Sequence, residues 1–165
     1  MLILGIDPGL ASTGWGVVEY CNGRIRPVSF GVVKTDSKDT IQNRICTIVK
    51  DVEYIANKYK AEVCSMEDIY FCKNITSAVP EAKVIGALTY KLQDMGIPVH
   101  YFSPLQIKTA VTGTGTADKH QVQELVKLQL KLKTVPKPDH AADALADCIC
   151  WISYNGTNER LGLNK

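Results

Sequence analysis

Apolar and polar positions along the chain change period several times, and each change marks an element. Leu2 to Ile6 is an apolar run ended by Asp7-Pro8-Gly9, which reads as a buried strand stopped by a tight turn. Gly14 to Tyr20 and Arg24 to Thr35 are two further strand-like runs, joined through Cys21-Asn22-Gly23, where Asn-Gly signals a hairpin. The chain therefore opens with an antiparallel three-stranded meander. From Thr40 to Lys60, Ile41, Ile45, Ile48, Val49, Val52, Ile55, Ala56 and Tyr59 recur at three- and four-residue steps, the stripe of an amphipathic helix. Glu62 to Met66 is a short strand running into Glu67. After a loop through Asn74, a helical pattern carries Ala82, Ile85, Gly86 and Thr89, and Pro80, which fits a first turn, places that helix start near Ser77. Ile97 to Phe102 is a fifth strand, followed by a short helix from Leu105 to Ala110. The stretch from Thr112 to Thr116 reads as a flexible loop, and Asp118 with Gln121 forms the capping box of a helix running to Lys131. Thr134 to Pro138 is an extended linker, and Ala141 to Trp151, dense in Ala and Leu, is a last helix packed on the sheet. This order predicts an α/β fold, a mixed five-stranded sheet flanked by helices.

Length and charge narrow the class. The 165 residues fit one domain, spanning 1–165, with no internal repeat or low-complexity tract. No apolar run approaches the roughly 20 residues that a membrane-spanning helix needs, and no secretory leader pattern opens the chain, so the expectation is a soluble, cytoplasmic protein with no membrane association. The six cysteines, Cys21, Cys46, Cys64, Cys72, Cys148 and Cys150, include no C-x-x-C pair and are irregularly spaced. They read as reduced core hydrophobes rather than a disulfide framework or zinc site. The net charge is only +2, but between Pro104 and Lys137 six lysines (Lys108, Lys119, Lys127, Lys131, Lys133, Lys137) stand against Asp118 and Glu124. That half is suited to a polyanion.

Three acidic positions stand where elements end or begin: Asp7 after the first strand, Glu67 after the fourth, and Asp143 early in the last helix. In an α/β sheet, side chains at strand ends face the crevice where ligands bind, and neighbouring carboxylates there can share a divalent cation. His140 and Asp143, three apart, share a helix face, and Asp139, four before Asp143, can share it too. Ala141, Ala142 and Ala144 let that helix approach the sheet closely. Carboxylates with an imidazole suit Mg²⁺ or Mn²⁺. Taken singly, each acid is equally an ordinary loop carboxylate or helix cap, and His140 equally a helix-start residue bonded to backbone.

The motifs together resemble the RuvC family of Holliday-junction resolvases along nearly the whole chain. Leu4-Gly5-Ile6-Asp7-Pro8-Gly9 with Thr13-Gly14-Trp15-Gly16-Val17 is similar to the family's first two strands. Met66-Glu67 with Ile69-Tyr70-Phe71-Cys72-Lys73-Asn74 resembles its second acidic motif, and His140-Ala141-Ala142-Asp143-Ala144-Leu145-Ala146 its third. The resemblance implies an RNase H-like fold and a homodimer that cuts four-way DNA junctions symmetrically, leaving 5′-phosphate and 3′-hydroxyl nicks. It further implies an acidic set of Asp7, Glu67, His140 and Asp143 holding two Mg²⁺ ions, with Mn²⁺ able to substitute, and a branch-migration helicase complex as partner. DNA contacts carry over to Tyr70, Phe71, Lys73, Asn74, Lys108, Lys119 and the loop Gly113, Thr114, Gly115, Thr116, whose backbone N–H groups could meet phosphates. Without the resemblance, Tyr70 and Phe71 read as core aromatics. The chain departs from the family at Pro80-Glu81-Ala82-Lys83-Val84-Ile85-Gly86, where a Gly- and Arg-containing helix start is usual.

Other readings use the same residues. An RNase H-like nuclease acting on RNA or simpler branched DNA would share the metal site. An actin-like ATPase would share the Asp7 to Gly14 turn but needs a second such domain. A non-catalytic junction-binding module would have no use for carboxylates facing a phosphate backbone.

Overall fold

The computed structural model describes residues 1–69 and 75–161. The meander is present as β1 (Leu2–Asp7), β2 (Ser12–Cys21) and β3 (Arg24–Lys34), antiparallel throughout. Its second turn has Asn22 at φ 50° and Gly23 at φ 75°, the two left-handed positions a tight hairpin asks for. Helix α1 (Ile41–Tyr59) begins at Thr40, whose hydroxyl accepts the Asn43 N–H, and buries Ile48, Val52, Ile55 and Ala56. It carries the chain back so that β4 (Val63–Glu67) runs parallel to β1. Helix α2 (Ile75–Asp94) crosses to β5 (Val99–Phe102), parallel to β4, and the sheet order is β3-β2-β1-β4-β5. Helices α3 (Pro104–Thr112), α4 (Lys119–Gln129) and α5 (Asp139–Leu161) complete the chain. This is the mixed five-stranded α/β sheet expected from the pattern.

Helix α5 lies across β1, β2 and β4 on one face, and α1 with α2 covers the other, giving two apolar clusters. The close approach of α5 rests on missing methyl groups on both sides. Ala141, Ala142 and Ala144 are buried in the helix, while a Cβ on Gly5 would collide with the Ala144 carbonyl and one on Gly14 with the His140 carbonyl. Among the described residues no helix is long and apolar enough to cross a membrane.

Several elements differ from the sequence expectation. Helix α2 starts at Ile75, so Pro80 is its sixth residue, inside the helix and beyond the first turn. The helix gives up the bond that residue's N–H would have made, and Ala78, Val84, Ile85 and Leu88 bury the same element in the core regardless. Helix α5 starts earlier and runs further than Ala141 to Trp151, bringing Asp139 and His140 into its first turn. The segment expected to be a flexible loop is a hydrogen-bonded turn. Gly113, at φ 79°, caps α3 by donating to the Thr109 carbonyl, and the Thr114 and Thr116 N–H groups donate to the Thr112 and Thr114 hydroxyls. Three of the four amides expected to face phosphate are therefore already engaged. Cys64, Cys148 and Cys150 are free thiols in the core as expected, but Cys21, at the hairpin, and Cys46, on the outer side of α1, are exposed. Tyr70, Phe71, Cys72, Lys73 and Asn74 lie outside the described residues.

Candidate active site

Strand alternation and parallel pairing build the site. Gly5 pairs with Ser65 and Ile6 with Met66 in the β1–β4 ladder, so Asp7 and Glu67 stand side by side at the ends of their strands. Because Gly5 and Ser65 face α5, the side chains two residues on, Asp7 and Glu67, face it as well. The first turn of α5 passes over these strand ends, held close by Gly14 beneath the His140 carbonyl.

His140 Nδ1–H donates to Asp7 Oδ2 at 2.7 Å. One ligand atom from each of Asp7, His140 and Asp143 falls within 4.8 Å of the others, a spacing that one cation could span. Glu67 borders this trio and lines, with Pro104, Ile107, Lys108, Lys119 and Asp143, a cleft of about 230 Å³. Lys119 Nζ lies 3.1 Å from Asp143 Oδ2 and 3.5 Å from Asp139 Oδ2. Asp139 itself is well exposed and is joined to the site through Lys119 alone among its described ion pairs.

The electrostatics show how crowded the acids are. Burial pushes the Asp7 carboxyl up and Asp143 adds to this, against the bond from His140. Glu67 is raised to about 7, by burial first and then by Asp7, Asp143 and Glu81. Lys108 acts the other way on Glu67. Like charges this close favour either a proton or a cation, and oxygen donors with one imidazole suit a hard divalent ion. The residues present thus fit a metal.

Two acids at this end escaped the sequence reading. Glu81, half-buried on α2, is raised by burial and by Asp7. Its place in the departing Pro80 to Gly86 segment was the one available signal. Asp147, a turn beyond Asp143 on α5, is fully buried. Its signal was a single acid within the apolar stretch from Ala144 to Ile152. The expected residues Asp7, Glu67, His140, Asp143, Lys108 and Lys119 do come together, whereas the Gly113 to Thr116 turn is an exposed rim beyond α3.

A mixed sheet of this order is RNase H-like, and acids at two adjacent strand ends and on the final helix give it a site fit for a divalent cation. The family model "Crossover junction endodeoxyribonuclease RuvC" matches residues 3–151. The chain is 40% identical over 165 residues to a protein of that name from Caldanaerobacter subterraneus subsp. tengcongensis, covering 100% of both. A Thermus thermophilus RuvC structure superposes with a TM-score of 0.87 at 30% identity, covering 96% of this chain and 97% of that one. The same organism's RuvC in complex with Holliday junction substrate gives 0.86 at 28% identity, covering 95% and 96%. The chain belongs to the RuvC family of crossover junction endodeoxyribonucleases.

Proposed function

We propose that this protein, as a single nuclease domain over residues 1–165, resolves four-way DNA junctions by paired, symmetric hydrolysis of phosphodiester bonds, leaving 5′-phosphate and 3′-hydroxyl nicks. The observation that carries this reading is the convergence of Asp7, His140 and Asp143, with Glu67 beside them, in a chain of this family.

Asp7, Glu67, His140 and Asp143 are the residues that would hold two Mg²⁺ ions, with Mn²⁺ able to replace them. Bound there, such ions supply Lewis acidity to a phosphoryl oxygen and make water a nucleophile at neutral pH. Asp7 would be the ligand shared by the ions, and Glu67 and Asp143 would each favour one of them. His140 holds the Asp7 carboxylate in orientation through the 2.7 Å bond and keeps its other ring nitrogen for the site. Lys119, once Asp143 is otherwise neutralised, keeps only the exposed Asp139 as its carboxylate partner and stands at the cleft mouth for a DNA phosphate, and Lys108 lines the same cleft. Tyr70, Phe71, Lys73, Asn74 and the Gly113 to Thr116 turn complete the proposed DNA contacts. For the turn, the Gly115 amide is the group on offer, the Thr114 and Thr116 hydroxyls being bonded to each other.

Symmetric cutting calls for a homodimer. Exposed Tyr90 on α2 and Tyr101 on the edge strand β5 border one shallow groove, which supports placing the partner there. A branch-migration helicase complex is the partner that would deliver the junction, in the cytoplasm.

The test uses one preparation with Mg²⁺ and three labelled DNAs of the same sequence: an immobile four-way junction, a fork and a linear duplex. Paired symmetric nicks confined to the junction are expected. Equal cutting of the fork, or of one strand only, would move the function to a broader branched-DNA nuclease. Cutting of RNA would move it further still.

A further inference from the structure

Asp147 is fully buried in α5, and neither of its carboxylate oxygens has a hydrogen-bond partner among the described residues. A buried acid in that condition is costly to ionise and so calls for a physical reason. Its position supplies one. Asp143 and Asp147 are four apart on one helix face, so Asp147 stands about 6 Å deeper than Asp143 along the helix axis. The Ser65 hydroxyl donates to the Asp147 backbone carbonyl at 2.7 Å, fixing this turn of α5 against β4 two residues behind Glu67. The acid thus forms a floor under the cluster at the strand ends, one layer in.

The groups that act on it are all acidic: Glu67 from β4, Asp7 from β1 and Asp143 from its own helix. The Cys148 and Cys150 thiols of α5 and, on the other face of the sheet, the Cys64 thiol of β4 are each pushed up by their own burial and then by Asp147. The cations that α3 and α4 bring to this end are turned elsewhere, Lys108 to Glu67 and Lys119 to Asp143 and Asp139. From β5, His100 is engaged edge-on with Trp151. Burial first, and then Glu67, Asp7 and Asp143, oppose the Asp147 anion and hold its carboxyl well above the usual carboxylate range.

We propose that Asp147 is a charge-compensating residue of the metal centre: it keeps its proton while the acidic cluster is free and releases it to solvent when divalent cations load above it. The inference rests on the metal-centre reading of Asp7, Glu67, His140 and Asp143. The balance is one O–H bond broken at Asp147, one proton delivered to water, and one negative charge left beneath the added positive charges. Asp147 touches no substrate. It is a positioning residue that acts on the charge of the site.

The experiment is calorimetric titration of the protein with Mn²⁺ alone, without DNA, from pH 6.5 to 7.5, for wild type and Asp147→Asn. A released proton steepens the pH dependence of affinity by tenfold per pH unit. Over that one-unit window the wild-type affinity should therefore rise about tenfold more than that of D147N, the contributions of the other groups cancelling in the comparison. Asparagine copies the shape of the neutral acid, so D147N is expected to fold; if it does not, Asp147→Leu carries the same comparison. Parallel pH dependences would overturn the proposal while leaving the metal centre in place. An absence of Mn²⁺ binding by the wild type would overturn both.

Discussion

On the face of the sheet that carries Leu4, Ile6, Cys64 and Met66, helices α1 and α2 lay down Ile48, Val52, Val84, Leu88 and Leu92, all essentially inaccessible. On the opposite face, α5 sets Ala144, Asp147 and Cys148 over Gly5, Gly16 and Ser65. The first face gains its stability from bulk. The second trades bulk for proximity, since its small residues bring a helix carrying acids to within bonding distance of strand ends that carry more. What this teaches is that one sheet can anchor a site it does not itself find comfortable: the α1/α2 side supplies the apolar burial that offsets the cost of crowded carboxylates on the α5 side.

The sharpest way to separate the two faces is Asp7→Asn. It should lower junction cleavage by about a thousandfold while leaving junction affinity nearly intact, as measured by single-turnover cutting and gel shift, because a centre of charge is removed and no phosphate contact is. The same variant should melt no lower than wild type in EDTA, since burial already disfavours the Asp7 anion. Retained cutting would take Asp7 out of the mechanism. On the other face, Leu88→Ala should cost about 3 kcal/mol in urea unfolding, with the cleavage rate of the folded enzyme unchanged.

An effect of similar size concerns pH. Glu67, at about 7 in the folded protein against an ordinary 4.5, binds more protons folded than unfolded. The contribution of this group to the stability of the metal-free protein is therefore full in acid and falls as pH rises from 4.5 through about 7, by about 3 kcal/mol. Glu67→Gln should flatten that interval in EDTA melts, and added Mn²⁺ should offset the loss. No described carboxylate lies buried in the α1/α2 cluster, so variants there should leave the pH curve unchanged.

Much of this division was legible before the structure. Asp7 and Glu67 could be read because each ends a strand-period run, and the Asp118–Gln121 capping box because its signal is confined to four residues; both of its bonds are present. Its counterpart at Ser103–Gln106 has the same spacing and the same two bonds, yet Pro104 drew attention to the break before it instead. Asp147 was hidden for the opposite reason. From Ala141 to Ile152 nearly every residue of α5 is buried on all sides, so there is no polar face for an acid to interrupt, and periodicity carries no contrast there. The partnership of Lys119 with Asp143 was equally out of reach, because it depends on how α4 is placed against α5 and not on spacing within either. Pro80 misled because a local rule was outweighed by the burial of the helix around it.

The pairing of Gly5 with Ser65 and Ile6 with Met66 makes the site a matter of parity. Every second residue of β1 faces α5, so the chemistry depends on whether the count from the strand start to the acid is odd or even. One residue inserted ahead of Asp7 or Glu67 would carry that carboxylate through to the greasy side, among Ile48 and Leu88, while composition and strand propensity stayed almost the same. Descendants of this chain can therefore drift freely in what their strands are made of, but in the stretch before each acid they can change length only in steps of two.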